Sequence, residues 1–147
     1  KTIVMTTLQH LQDILKKRIM VLDGAMGTMI QKKQFTEAQY RGGQFKDYHR
    51  EVKGNAELLN LTQADAIRQI HESYLEAGAD IIETNSFNGT VISQADYEME
   101  HLVDSFNEAS AQIARQAADA FTQKNPDKPR FVAGAMVSSS FPAPRST

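Results

Sequence analysis

Apolar residues recur at helical spacing in three stretches of the chain, which therefore predict three amphipathic helices. The first two follow capping patterns, Thr6-Thr7-Leu8-Gln9 and Thr62-Gln63-Ala64-Asp65. Gly78 suits the left-handed position after a helix and ends the second near Ala77, while the Pro-containing run 124–129 ends the third. The apolar faces are Leu8, Leu11, Ile14 and Leu15; Ile67, Ile70, Tyr74 and Leu75; and Val103, Phe106, Ser110, Ile113, Ala117 and Phe121.

Short runs rich in β-branched residues lie between these helices and predict strands at 19–23, 79–85 and 130–136. Residues 32–57 are polar with poor periodicity and predict a long loop with at most one helical turn, and loops of that length tend to be functional. Helices and strands thus alternate along the chain, as in a parallel α/β architecture. Both a barrel and a doubly wound sheet fit this order.

Polar residues stand where two of the predicted strands end, Asp23-Gly24 and Glu83-Thr84-Asn85. An Asp-Gly pair alone is most often a turn. Two such clusters at equivalent strand ends favour a binding site, because ligands of parallel α/β folds bind at the carboxyl ends of the strands. Glu83 follows Ile81-Ile82 and is expected near the buried layer, where it needs a partner. A salt bridge or helix cap and a ligand ammonium group both remain open as that partner.

Composition narrows the classes of partner. The chain has 147 residues, 41% hydrophobic and 23% charged, with a formal net charge of −2. This composition predicts one globular domain over residues 1–136 and excludes the basic surface of a nucleic-acid or anionic-membrane binder. No apolar run reaches the length of a membrane span and the start lacks a signal-peptide pattern, so a cytoplasmic location is expected. The Ser- and Pro-rich tail, 137–147, is expected to be irregular and disordered.

The remaining motifs favour neither a nucleotide site nor a metal site. Gly24-Ala25-Met26-Gly27 has neither the three spaced glycines of a dinucleotide fingerprint nor the Lys-Ser/Thr end of a P-loop. His71-Glu72 begins like a zinc-protease helix, but Leu75 takes the place of the second histidine, so a surface pair on a helix is predicted. Cysteine is absent. No metal is therefore expected to bind to this chain alone, since the other histidines, His10, His49 and His101, show no ligand spacing.

Four segments of the chain together match the pattern of a known family: Leu22–Gln31, Tyr40-Arg41-Gly42 with Phe45, Lys53-Gly54-Asn55 before Leu58-Leu59, and Ala77–Asn88. With these segments the chain resembles the amino-terminal homocysteine-binding domain of cobalamin-dependent methionine synthase, a branch of the homocysteine S-methyltransferase family. The similarity runs from about Leu8 to Met136. The long loop resembles the synthase more than the betaine or S-methylmethionine branches.

The resemblance implies a fold, a reaction and a substrate site. The fold is the N-terminal part, about three β/α units, of a TIM-type (β/α)8 barrel. The reaction transfers a methyl group from methylcobalamin, which receives it from methyltetrahydrofolate, to zinc-bound homocysteine and gives methionine. Zinc coordination deprotonates the thiol and so activates the sulfur. In the site, Asp23 would take the ammonium group, Gly24 would offer a backbone N–H, and Glu83, Thr84 and Asn85 would line the pocket.

Two departures from the family pattern limit what this chain is expected to do alone. The family's three zinc cysteines lie beyond the third strand and have no counterpart here, and a Gly-Pro-Thr loop is replaced by other residues after Met136. A complete barrel takes about 250 residues and eight strands. We therefore expect a truncated chain, inactive alone, that binds neither zinc nor cobalamin itself. Its partners would be the rest of the barrel and the cobalamin and folate domains of the parent enzyme.

Two alternatives remain open at the level of sequence. The chain can be a non-catalytic α/β binding or interaction module that keeps an amino-acid pocket. It can also belong to a homocysteine S-methyltransferase that uses another methyl donor.

Overall fold

A computed structural model describes residues 6–136 of the chain. Helices predominate, and two short 3-10 helices, Ala95–Tyr97 and Glu100–Leu102, precede the longest of them. The predicted tail, 137–147, lies outside the described residues. In chain order the helices and strands are α1 Thr7–Leu15, α2 Met26–Lys32, α3 Glu37–Arg41, α4 Leu59–Thr62, α5 Ala64–Glu76, β1 Ile81–Glu83, α6 Val91–Gln94, α7 Val103–Lys124 and β2 Phe131–Ala133.

The strands form a parallel layer in chain order. β1 pairs with β2 in the register Ile81 to Phe131, Ile82 to Val132 and Glu83 to Ala133. On the other edge of β1, the segment predicted as the first strand pairs through a single parallel bridge between Leu22 and Ile81. The parallel α/β order is confirmed, but a strand spanning 19–23 is not. Among residues 6–136, this segment pairs with β1 along one edge, and Ile19 is 86% exposed. Its backbone pairing is therefore limited to the single bridge.

The helices agree with the apolar periodicity of the sequence. At their ends, some of the predicted capping residues are confirmed and one is wrong. α1 begins with the predicted capping box, in which Thr6 and Gln9 bond each other's backbone N–H groups. The predicted cap before α5 is wrong, because Thr62 ends α4 and its hydroxyl donates to the Leu58 carbonyl (3.3 Å). Gly78, at φ 111°, ends α5 with the two backbone bonds of a Schellman motif.

The core has two clusters of buried apolar side chains, and its packing corrects the prediction for His71. The larger cluster packs α2, α3 and α4 against α5 and α7, and the smaller one lies between α5, α7 and β1. This residue is fully buried on α5 beside Ile70 and Leu75, so it is not part of a surface pair. The helical period of the flanking apolar residues decides this, since His71 follows Ile70 on the face toward α7. α1, by contrast, buries none of its residues.

The long predicted loop contains one helix, α3, and is held by a carboxylate. Glu37 accepts the backbone N–H of Val52 and of Lys53 (2.7 Å for the latter) and also pairs with Arg41. These bonds fix the path of the chain into residues 55–60, and Val52, which precedes this segment, is fully buried. The loop is thereby brought against the carboxyl ends of the strands.

Candidate functional site

A cavity of about 490 Å³ opens at the carboxyl ends of the strands. The two polar clusters singled out in the sequence both line it, so residues about 60 positions apart in the chain share one concave surface. The segment before α4 and the loop after β1 complete its wall. The lining residues are Asp23, Gly24, Ala25, Met26, Gly27, Ala56, Glu57, Glu83, Thr84, Asn85, Ser86, Phe87, Asn88 and Ala135.

Asp23 is held by the bridge to β1 with one carboxyl oxygen satisfied and one not. Its Oδ2 accepts the backbone N–H of Glu83 (3.1 Å), whereas its Oδ1 is buried and has no hydrogen-bond partner among residues 6–136. Burial, with the nearby Glu83 charge adding to it, raises the Asp23 pKa from 3.8 to about 6. An unpartnered carboxyl oxygen beside a cavity is suited to accept a hydrogen bond from a cationic ligand.

Gly24 lets the backbone pass close to an aromatic ring. A Cβ at this position would lie 3.1 Å from Cε1 of Tyr74, and the Tyr74 hydroxyl donates to the next carbonyl, of Ala25 (3.3 Å). Gly27 has no atom within 4 Å of a Cβ placed on it. Of these two glycines, only Gly24 is required by its surroundings.

The cluster that ends β1 divides into one exposed and two buried residues. Glu83 is exposed, which corrects the expectation that it lies near the buried layer. Pleating explains this, since Ile82 and Glu83 point to opposite faces of the strand. Thr84 is buried and its Oγ1 accepts the Ala135 N–H (2.9 Å). Asn85 is buried and its amide donates to Ala56 O and Asn60 Oδ1.

Sequence reasoning missed Glu57 as a residue of this cavity. Its exposure is 3%, and it accepts the Asn88 backbone N–H (2.9 Å). Burial raises its pKa above the ordinary value, against the hydrogen bonds that lower it. The signal that could have found it is an acid placed directly before the apolar pair Leu58-Leu59, within a segment that already carried the family resemblance.

The charges around the cavity select the kind of ligand. Among residues 6–136, the lining includes Asp23, Glu57 and Glu83 and contains no lysine, arginine or histidine. Such a surface attracts an ammonium group more than a phosphate or another anion.

The residues present do not fit the zinc that the family implies. The sequence contains no cysteine, and within residues 6–136 no three His, Asp or Glu side chains form a group able to hold a metal ion. In the same range, no helix is both long and apolar enough to cross a bilayer.

Two solved structures are similar to this chain. The metallated form of the homocysteine methyltransferase MmuM from Escherichia coli superposes with a TM-score of 0.67 at 24% identity, over 88% of this chain and 41% of that one. The oxidized form gives a TM-score of 0.64 at 25% identity, over 86% and 40% of the two chains. The chain thus spans about two fifths of the length of these structures.

A comparison with protein families gives a match over most of the sequence. The homocysteine S-methyltransferase model covers residues 20–141, which includes both polar clusters and the strands they end. The parallel order of the strands and the position of the cavity agree with this match. The chain therefore belongs to the homocysteine S-methyltransferase family.

Proposed function

We propose that the cavity at the carboxyl ends of the strands is the part of a homocysteine methyltransferase that binds the amino-acid substrate. The observation that carries the proposal is the acidic cavity at the strand ends. In the part of the chain that the structure describes, Asp23 there keeps a carboxyl oxygen without a partner and the lining holds no basic side chain. Asp23 would hold the ammonium group of homocysteine, and the Gly24 backbone would offer an N–H to its carboxylate. Thr84 and Asn85 would form the wall, with Glu83 at its exposed rim.

The raised pKa of Asp23 gives this binding a pH dependence. Near pH 7 a carboxyl with a pKa of about 6 is mostly ionised, and an ammonium group beside it stabilises the ionised form further. Homocysteine binding should therefore weaken as the pH falls below about 6, because a protonated Asp23 offers no charge to the ligand.

The finer assignment within the family is part of the proposal. We infer that the methyl donor is methylcobalamin and that the complete enzyme is a methionine synthase, since the long segment between Asp23 and Asn55 resembles that branch. The zinc that activates the sulfur would then be held by cysteines that this sequence does not contain. A methyl-transfer assay of the complete enzyme with methylcobalamin, betaine and S-methylmethionine decides the donor. The cytoplasmic location stays a prediction.

Calorimetry on the 147-residue chain under reducing conditions measures ligand binding to this cavity directly. L-homocysteine should bind more tightly than 4-mercaptobutanoate, which has the same thiol and carboxylate but no amino group. Asp23→Asn should weaken homocysteine binding by about tenfold or more, the usual effect of losing a charge-assisted hydrogen bond. Asp65→Asn, at an 85% exposed acid on α5, is the matched control and should bind as the wild type does. Equal affinity of the wild type for both ligands would refute the proposal.

A further inference from the structure

Glu57 is the most buried of the three carboxylates that line the candidate site. It is 3% exposed, and it lies in the wall between this cavity and a smaller one of about 220 Å³. Within residues 6–136, no lysine, arginine or histidine comes within 4.0 Å of its carboxyl group, so no ion pair offsets its burial. A buried carboxylate without a cationic partner is unfavourable unless a ligand supplies one.

The surroundings of Glu57 fix where its carboxyl group lies. Its Oε1 accepts the Asn88 N–H, and the Asn88 carbonyl accepts Gln94 Nε2 (3.1 Å). Gln94 is in turn joined to Asn55 by two hydrogen bonds between their side-chain amides. Because Asn55 and Gln94 are each only 1% exposed, this polar network cannot rearrange toward solvent. The carboxyl group is held in place before any ligand arrives.

A second observation points to a ligand in the same cavity. Within the described residues, Oδ1 of Asp23 is buried there without a partner, so two separate elements of the fold leave acceptor capacity at one concave surface. In the same part of the chain, neither carboxylate has a basic neighbour in the lining. Two pre-positioned carboxylates attract a cationic amino group and disfavour a ligand that lacks one.

We propose that Glu57 is a specificity-determining residue of this site, which acts with Asp23 to select ligands that carry an ammonium group. The inference rests on the proposed function and adds a second anionic contact, from the segment before α4. Glu57 holds the Asn88 loop through one oxygen and meets the ligand charge as a carboxylate.

Two substitutions separate a charge role from a structural one. Glu57→Gln keeps an oxygen that accepts the Asn88 N–H but removes the charge, whereas Glu57→Ala removes both. Glu51→Gln, at an exposed acid in the preceding loop, is the control. Circular dichroism melting of each variant reports whether the fold is kept.

Calorimetry near pH 7 measures the affinity of each variant for both ligands. The expected result is that Glu57→Gln loses about tenfold in affinity for L-homocysteine and little for 4-mercaptobutanoate. If Glu57→Gln binds both ligands as the wild type does while only Glu57→Ala is impaired, the role is structural and the inference is overturned. A wild type that does not distinguish the two ligands overturns the proposed function, and this inference with it.

Discussion

The carboxylates at the two ends of the short parallel sheet have opposite surroundings, one fully hydrogen-bonded and the other only in part. At the amino end, Asp80 is 1% exposed and accepts two hydrogen bonds from the Arg18 guanidinium (2.7 and 2.8 Å) and one from the Val21 N–H (2.9 Å). At the carboxyl end, Asp23 accepts one backbone bond and leaves Oδ1 buried without a partner.

The pKa values of the two residues follow this difference. Burial alone would raise the pKa of Asp80, but the Arg18 guanidinium and the Val21 amide bring it below the ordinary value. For Asp23 burial prevails, and the pKa rises to about 6. The carboxylate at the amino end is thus paired in a way that stabilises the fold, whereas the one at the carboxyl end keeps the acceptor capacity on which the proposed ligand contact depends.

The largest effect is expected when the paired carboxylate is removed. Asp80→Ala leaves Arg18 without its partner and the Val21 N–H without an acceptor. Breaking a fully buried pair destabilises by about 3–5 kcal/mol, and because the Arg18 side chain is 39% exposed we expect the lower end of this range, about 3 kcal/mol. Urea unfolding measures the change. A loss below about 1 kcal/mol, as for an exposed ion pair, would contradict the assignment of this end to stability.

A substitution at His71 tests whether a buried polar group that lies away from the cavity affects only the stability of the fold and not ligand binding. Neither ring nitrogen has a hydrogen-bond partner, and burial lowers the pKa from 6.5 to about 4. The unfolded chain therefore takes up the proton first, and stability that is present above pH 6.5 is lost as the pH falls toward 4. This loss should reach about 3 kcal/mol.

The variant His71→Leu isolates that contribution from the other titrating groups. The difference in unfolding free energy between variant and wild type, followed from pH 7 to pH 4, should change by the same amount in favour of the variant. A difference that stays constant with pH would show that His71 is protonated or solvated in the folded protein. Homocysteine binding at pH 7 should not change.

Asp23→Asn should stabilise the chain at pH 8, opposite in sign to Asp80→Ala. A folded-state pKa raised from 3.8 to about 6 means that the ionised carboxylate opposes folding above pH 6. Because the group is partly solvated, we expect a gain of only about 1 kcal/mol. Urea unfolding at pH 8 and pH 5 checks the sign, since the gain should shrink at the lower pH. Destabilisation at pH 8 would mean that Asp23 is a structural residue like Asp80.

The smallest effect concerns the two glycines after Asp23. Gly24→Ala places a methyl group 3.1 Å from the Tyr74 ring, so the ring must shift by a few tenths of an ångström, at a cost of about 1 kcal/mol. Gly27→Ala meets no atom within 4 Å and lies inside α2, where alanine is the better helix former. Thermal melting should show a small loss for the first variant and none for the second.

Several features of the fold could be predicted from the sequence because local chemistry decides them. The capping box at Thr6, the left-handed Gly78 and the end of α7 at Lys124 depend on neighbours within a few residues. The cap predicted at Thr62 failed because α4 immediately precedes α5, and the helix α2 directly after Asp23-Gly24 was not predicted at all. Short helices depend on packing more than on propensity.

The parallel α/β order, the polar strand ends and the family resemblance can all be read from the residues in order, since periodicity, capping and residue type are properties of the chain. The three-dimensional packing was needed to show that Glu83 is exposed, that His71 is buried and that Glu57 joins Asp23 around one cavity. Burial and charge pairing depend on residues distant in sequence. The pKa of Asp23, and with it the proposed affinity for an ammonium group, follows from those distant contacts.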